Sequence, residues 1–331
     1  MAAQEKTWSE LTRFSFSNFH IDELPPSEQL YANGLQQVRV GIELSIISEE
    51  LADENGFAGP VTLSAKELAS VRLVVYRGGA ELPAQWKISD APNDYHPFPE
   101  GARSASANTH RSSAPRGTYY PDRYVTTTAG PTDLKMALAI TRDDGATFIT
   151  DGNDDEYGLL DVSITLTPVV VPTYHLDNYS FDKTEQESNL DLFVHVYSLS
   201  ARDNQSKPLR FIGTATVSPA GMIQWHDKVA GETHASYVGY AQPGQSAVTW
   251  NTSIVYGSHK PSAKVNQPNA DRLAFVLVGR NDIPFHSSSA INHNGPLLAT
   301  PRDQYGNPHP IRVRFKNTTA EGRLELIIEK A

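Results

Sequence analysis

From Val38 to Ile46 every second residue is apolar. Val38, Val40, Ile42, Leu44 and Ile46 fall on one side; Arg39, Glu43 and Ser45 fall on the other. A two-residue period is that of a half-buried strand, and the Asn33-Gly34 pair just ahead of it is a turn signal. The pattern recurs in Leu134, Met136, Leu138 and Ile140, and again in Leu160, Val162, Ile164 and Leu166. The second half predicts strands within 190–199, 209–217, 236–241, 247–256 and 272–279. A closing hairpin is expected from 311–315 to 323–329, turning across 317–322.

Helical periodicity is nearly missing. Ser64-Ala-Lys-Glu67 reads as a capping box, serine at the N-cap and glutamate three residues on. The strand-like run 71–76 limits that helix to a turn or two. Two stretches carry neither period: 89–117, with Tyr95 and Phe98 among prolines and glycines, and 281–310, rich in His, Ser, Asn and Pro. Loops of that length are far above the median of about 4–6 residues and are functional or contact-making when ordered.

A chain of 331 residues exceeds one ordinary core. Pro168-Val-Val-Val-Pro172 interrupts the strand pattern, and because proline cannot donate to a central ladder this segment reads as an edge or a linker. The expected organisation is an N-terminal arm or first strand over 1–30, a first domain over 31–168 and a second over 169–331. The expected fold is all-β: two tandem antiparallel β-sandwiches, immunoglobulin-like or jelly-roll-like, with long loops and at most one or two short helices. A parallel α/β sheet would need helices of ten or more residues between strands. Phe19-His-Ile-Asp22 and Tyr174-His-Leu-Asp177 echo one another, a match that either duplication or chance would leave.

Composition narrows the chemistry. The absence of cysteine removes disulfides, thiolate metal sites and cysteine nucleophiles together. A formal net charge of -10, with no cluster of Lys and Arg, argues against nucleic acid as a partner. No apolar run approaches the ~18 residues of a membrane-crossing helix. The first ten residues lack a basic start followed by an apolar stretch, so cytoplasmic synthesis without a signal peptide is expected, with incorporation into a particle or release by lysis compatible with it.

The nearest approach to a metal motif is Asp151-Gly-Asn-Asp-Asp-Glu156. Asp151, Asn153 and Asp155 are spaced as alternate oxygen ligands of a calcium loop. Glu156 stands where an EF-hand needs glycine, and Val162 where it needs a bidentate glutamate, so only a looser calcium turn or a solvated acidic turn is left. None of the eleven histidines forms a His-Glu-x-x-His pair; His286 and His293 share one long loop, and His195 alternates with Phe193 and Tyr197 as a strand-face residue would. There is no Gly-x-Ser-x-Gly elbow and no phosphate-cradling glycine loop. Trp86, Trp225 and Trp250 lie in strand-like runs, where core packing is the usual fate. Tyr95, Phe98, Tyr119, Tyr120 and Tyr124 are harder to assign to a core and form the candidate interaction surface.

These readings lead to an expectation of a non-enzymatic, self-assembling structural protein, with copies of itself or the subunits of a phage or phage-tail-like particle as partners. That comparison rests on architecture and composition alone. The alternative is a receptor- or carbohydrate-binding, toxin-like sandwich protein using the same loops, with a hydrolase behind both. No cofactor is expected apart from calcium at the acidic turn.

Overall fold

The structure is a computed structural model that describes residues 6–24, 28–98, 117–152, 157, 161–188 and 192–331. The chain divides into two units, Met1–Val171 and Pro172–Ala331. Unit 1 contains strands β1 Ser15–Leu24, β2 Gln29–Tyr31, β3 Val38–Ser48 and β4 Gly59–Pro60, helix α1 Ala65–Ser70, then β5 Arg72–Val75 and β6 Trp86–Ser89. It continues with β7 Thr118–Tyr119, β8 Arg123–Thr127, β9 Leu134–Thr141, β10 Thr147–Ile149 and β11 Ser163–Val169. One sheet runs β1-β3-β8-β6, with β4 and β7 also on β3; the other runs β10-β9-β11-β2, with β5 on β9.

β3 is the hub of unit 1. Val38, Val40, Ile42, Leu44 and Ile46 are all buried, as their alternation predicts, and they meet Met136, Leu138, Ile140 and Leu166 of the opposite sheet in one core. The stretch read as an arm is built into the same core: β1 pairs antiparallel with β3 from Ser15↔Ile47 to Leu24↔Arg39, and Trp8, Leu11, Phe14, Phe16 and Phe19 are buried. Five large apolar side chains in twelve residues bury too much surface to be left outside. The domain boundary falls at 171/172 rather than 168/169, because β11 continues through Pro168, pairing parallel with β2 as Pro168↔Leu30. Proline is tolerated there because Thr167 N donates to Glu28 O, which turns the nitrogen of residue 168 toward the side where β9 pairing has already ended at Leu166.

Unit 2 contains β12 Tyr179–Ser188, β13 Phe193–Arg202, β14 Pro208–Leu209, β15 Phe211–Ser218, β16 Met222–Trp225, β17 Ala235–Ala241 and β18 Leu273–Arg280. Helix α2 Ser287–Asn292 and strands β19 Leu297–Asp303, β20 Ile311–Phe315 and β21 Leu326–Lys330 complete it. One sheet runs β12-β13-β18-β17-β16 with β14 on β13, the other β15-β19-β20-β21. The central strand β18 is buried on both faces. Leu273, Phe275 and Leu277 enter the core between the sheets, while Ala274, Val276 and Val278 enter a second core on the far side, closed by Val248, Ile254, Ile283 and Ala290. A strand covered on both faces reads as a continuous apolar run, and 273–278 does.

That second core explains where the expected secondary structure differs. Residues 247–256, expected as a strand, form an irregular cover with isolated pairings at Tyr240↔Thr249 and Ala247↔Lys264. Their apolar residues face the sheet without belonging to one. Residues 281–310, expected as irregular, contain α2 and β19. β12 escaped detection because only its first turn-in residues, Tyr179 and Phe181, pack on the core; from Asp182 to Glu187 it is an exposed edge. The two echoing tetrapeptides occupy different structures: Phe19–Asp22 lies mid-strand in β1, whereas Tyr174–Asp177 runs into the 3-10 turn Leu176–Asn178.

Three turns share one chemistry. In 53–57, 203–207 and 303–307 an aspartate at the first position accepts backbone N–H groups from the third and fifth residues, and its own N–H donates to the fifth carbonyl. The fourth residue has positive φ: Gly56 at 81°, Ser206 at 65° and Gly306 at 83°. A carboxylate filling both N–H groups makes the turn rigid as well as tight.

Replacing Leu44, fully buried on β3, by alanine is expected to cost about 2–5 kcal/mol. Glu43→Ala on the opposite face is expected to stay within about 0.5 kcal/mol. Chemical denaturation of the two variants beside the wild type measures both.

Candidate functional site

The sequence-predicted site residues go to different places. Phe98 is buried, its ring 4.8 Å from that of Tyr31. The first part of the long loop is stitched to the turn before β3: Gln36 Nε2 donates to His96 O, Asn93 Nδ2 to Leu35 O, and Asn93 N to Gln37 Oε1. Phe98 therefore docks onto its own unit. Residues 99–116 lie outside the described residues. Tyr119 is half-buried against the unit 1 core, and its hydroxyl accepts the Leu63 N–H at 3.0 Å. Tyr95, Tyr120 and Tyr124 are also half-buried, Tyr124 on β8 between Arg39 and Ser89.

Asp151 follows β10, while Asn153 and Asp155 of the calcium turn lie outside the described residues. Of the tryptophans, Trp86 and Trp225 are buried and Trp250 is half-buried outside any strand. His195 is buried on β13 and stacks on Phe193.

What the structure brings together instead is one face of unit 1. Two cavities, of about 430 and 330 Å³, are walled by the same two stretches, 6–15 and 47–64. Lys6, Trp8, Leu51, Pro60 and Leu63 line the larger, with the carboxylates of Glu67 and Asp143; Arg13, Phe14, Ile47, Ala58 and Tyr157 line the smaller. Trp8 is fully buried, and its indole N–H has no acceptor. At the crest of the 47–64 stretch stands Phe57, 71% exposed.

Both stretches are held rigidly. Glu50 ties the first to the second: Oε1 accepts from Thr12 N, Thr12 Oγ1 and Arg13 N at 2.7–2.9 Å, and Oε2 accepts from Lys6 Nζ at 2.6 Å. The Lys6 ammonium, then the Arg13 and Thr12 donors, hold the Glu50 carboxyl down at about 2. The Asp53 carboxylate locks the turn below Phe57 by accepting both Asn55 N and Phe57 N. Gly59 passes so close to Leu51 that an added Cβ would lie 2.0 Å from its carbonyl oxygen. Phe57 is thus an exposed aromatic side chain on a turn whose backbone is already ordered, so covering it would cost little further ordering entropy.

A second polar assembly is sealed inside unit 2. Asp303 and His309 are both fully buried, with His309 Nε2 3.2 Å from Asp303 Oδ2 and His309 Nδ1 3.1 Å from the Tyr179 hydroxyl. Tyr305 N and Asn307 N donate to the other carboxylate oxygen, and Tyr174 stacks on the imidazole. Burial, with the charge of Asp303 beside it, raises the Tyr179 phenol to about 12. Closed to solvent and filled with partners, this knot joins 303–309 to the start of β12. In the sequence its only mark is the Asn307-Pro-His-Pro310 string.

Because folding lowers the Glu50 pKa from 4.5 to about 2, its stabilisation is complete above pH 4.5 and is lost as pH falls from 4.5 toward 2. Glu50→Gln is expected to lower stability at pH 7 and to flatten the acid limb of the melting curve in that window. Faster amide exchange across 6–13 in the variant would show the clamp itself released.

Among the described residues no helix is long and apolar enough to cross a membrane. No protein-family model matches the chain, and comparison with curated proteins finds none similar to it.

Proposed function

We propose that this protein is a non-enzymatic building block that associates with copies of itself through the connections of its sandwiches. The observation that carries this reading is Phe57, 71% exposed on a turn fixed by Asp53, in the 47–64 stretch whose other residues help to wall two cavities. Large aromatic side chains held rigidly in the open are typical anchors of contact surfaces. The long edge strands support contact through connections rather than through sheet pairing. β1 and β12 each carry a bulge, at Phe16/Asn18 and Glu185/Glu187, and β12 presents Asp182, Lys183 and Glu185 along its edge. Bulges and charges are what keep exposed edges from pairing with other chains. With a net charge of -10 per copy, apolar contacts between copies strengthen as salt screens the repulsion.

Light scattering and electron microscopy test the reading directly. The wild type is expected to form an assembly of uniform size, larger in moderate salt, and Phe57→Ser is expected to reduce it to monomer with an unchanged circular dichroism spectrum. A wild type that stays monomeric at tens of micromolar refutes the proposal. Retention on a glycan array, lost on replacing Tyr120 or Tyr124, would favour the carbohydrate-binding reading instead.

A further inference from the structure

The connection between β16 and β17 gathers two imidazoles and two carboxylates in nine residues. His226 and His234 stand opposite one another one step beyond the Trp225↔Ala235 pair, with His226 N donating to His234 O at 2.8 Å. Asp227 Oδ2 lies 2.9 Å from His226 Nδ1, and Glu232 Oε2 lies 3.6 Å from the same nitrogen. One ligand atom from each of His226, Asp227 and Glu232 fits within 4.8 Å of the others. Ligands about 2.0–2.2 Å from a tetrahedral zinc ion are separated by roughly 3.3 Å, so these spacings bracket what such an ion requires.

The two oxygens of Glu232 are used differently. Oε1 is occupied by Thr233 N and His234 N at 2.7 Å and by His234 Nδ1 at 2.9 Å, while Oε2 faces His226. His234 thus orients the carboxylate, as outer residues orient ligands around metal ions. The glutamate side chain is itself only 9% exposed, so its aim is set by packing. The backbone around it is fastened as well: Phe285 N donates to Glu232 O, Ile283 N to Thr233 O, and the Trp225 indole N–H to Ile283 O. His226 and Asp227 are about half exposed, which leaves an ion a path from solvent and room for water ligands.

We infer that His226, Asp227 and Glu232 form a binding site for a divalent transition-metal ion of the zinc class, with His234 as the positioning residue behind Glu232. One imidazole and two carboxylates suit zinc, and two negative charges balance a divalent ion. The buried Arg323 contributes a nearby positive charge to Glu232 and tempers the affinity. This inference is independent of the self-association reading, since the site lies in unit 2 and Phe57 in unit 1.

Zinc chloride titrated calorimetrically into the untagged, chelator-stripped full chain is the test, with cobalt(II) absorption as a second readout. About one ion per chain is expected, bound at micromolar concentration or tighter, with visible bands of four- or five-coordinate cobalt. His226→Gln with Asp227→Asn is expected to abolish this binding, and His234→Ala to weaken it roughly tenfold or more. His286→Gln with His293→Gln should leave it unchanged, and circular dichroism checks that each variant folds. Absence of stoichiometric zinc binding in the wild type overturns the inference. So does binding that survives in the folded His226→Gln/Asp227→Asn variant.

Discussion

Both units rest on one constraint: a strand can be taken out of water only if its ladder is complete and its side chains find apolar neighbours. β3 satisfies this by pairing with β1 along one edge and with β8, β7 and β4 in succession along the other, while its five alternating apolar residues fill the core. β18 satisfies it more completely, hydrogen-bonded to β13 and β17 and buried on both faces. Each buried side chain of this kind contributes about 1.5–3 kcal/mol. The connections, turns and polar knots are positioned by these two strands.

Polar residues then do local work at the ends of strands. The aspartates at 53, 203 and 303 make the same turn, but with different consequences. Asp53 fixes an exposed phenylalanine. Asp203 closes an exposed hairpin. Asp303, fully buried, gains a histidine and two tyrosines as further neighbours. The chemistry of the turn is constant; burial decides whether it becomes a display, a simple reversal or a structural knot. Glu50 shows the same economy, one carboxylate securing a segment that no strand holds.

The Phe57 turn and the Glu232 hairpin are built in the same way. In the proposed readings, a locked turn at Phe57 would offer an apolar group to a second copy, and a locked hairpin at Glu232 would offer oxygen and nitrogen to a cation. In both, the sandwich supplies rigidity and the connection supplies chemistry, which is how sheets commonly host function.

Local patterns determined the all-β class and the strand at 38–46 with its inward side chains, through alternation, and the short helix after Ser64, through its capping box. These are local consequences: alternation depends on neighbours two positions away, and a capping box on residues three apart. Tertiary structure decided the rest. Residues 247–256 have a strand's composition but serve as a lid, because the neighbouring sheet already supplies their apolar contacts. Phe98 resembled a docking residue until Tyr31 was placed beneath it. Cavities walled by 6–15 and 47–64, the Asp303–His309 pair and the convergence of His226 with Glu232 all depend on how the backbone turns and packs in three dimensions. Single-chain patterns hold no term for such distances, since contacts between remote segments are chosen by the packing of the whole unit.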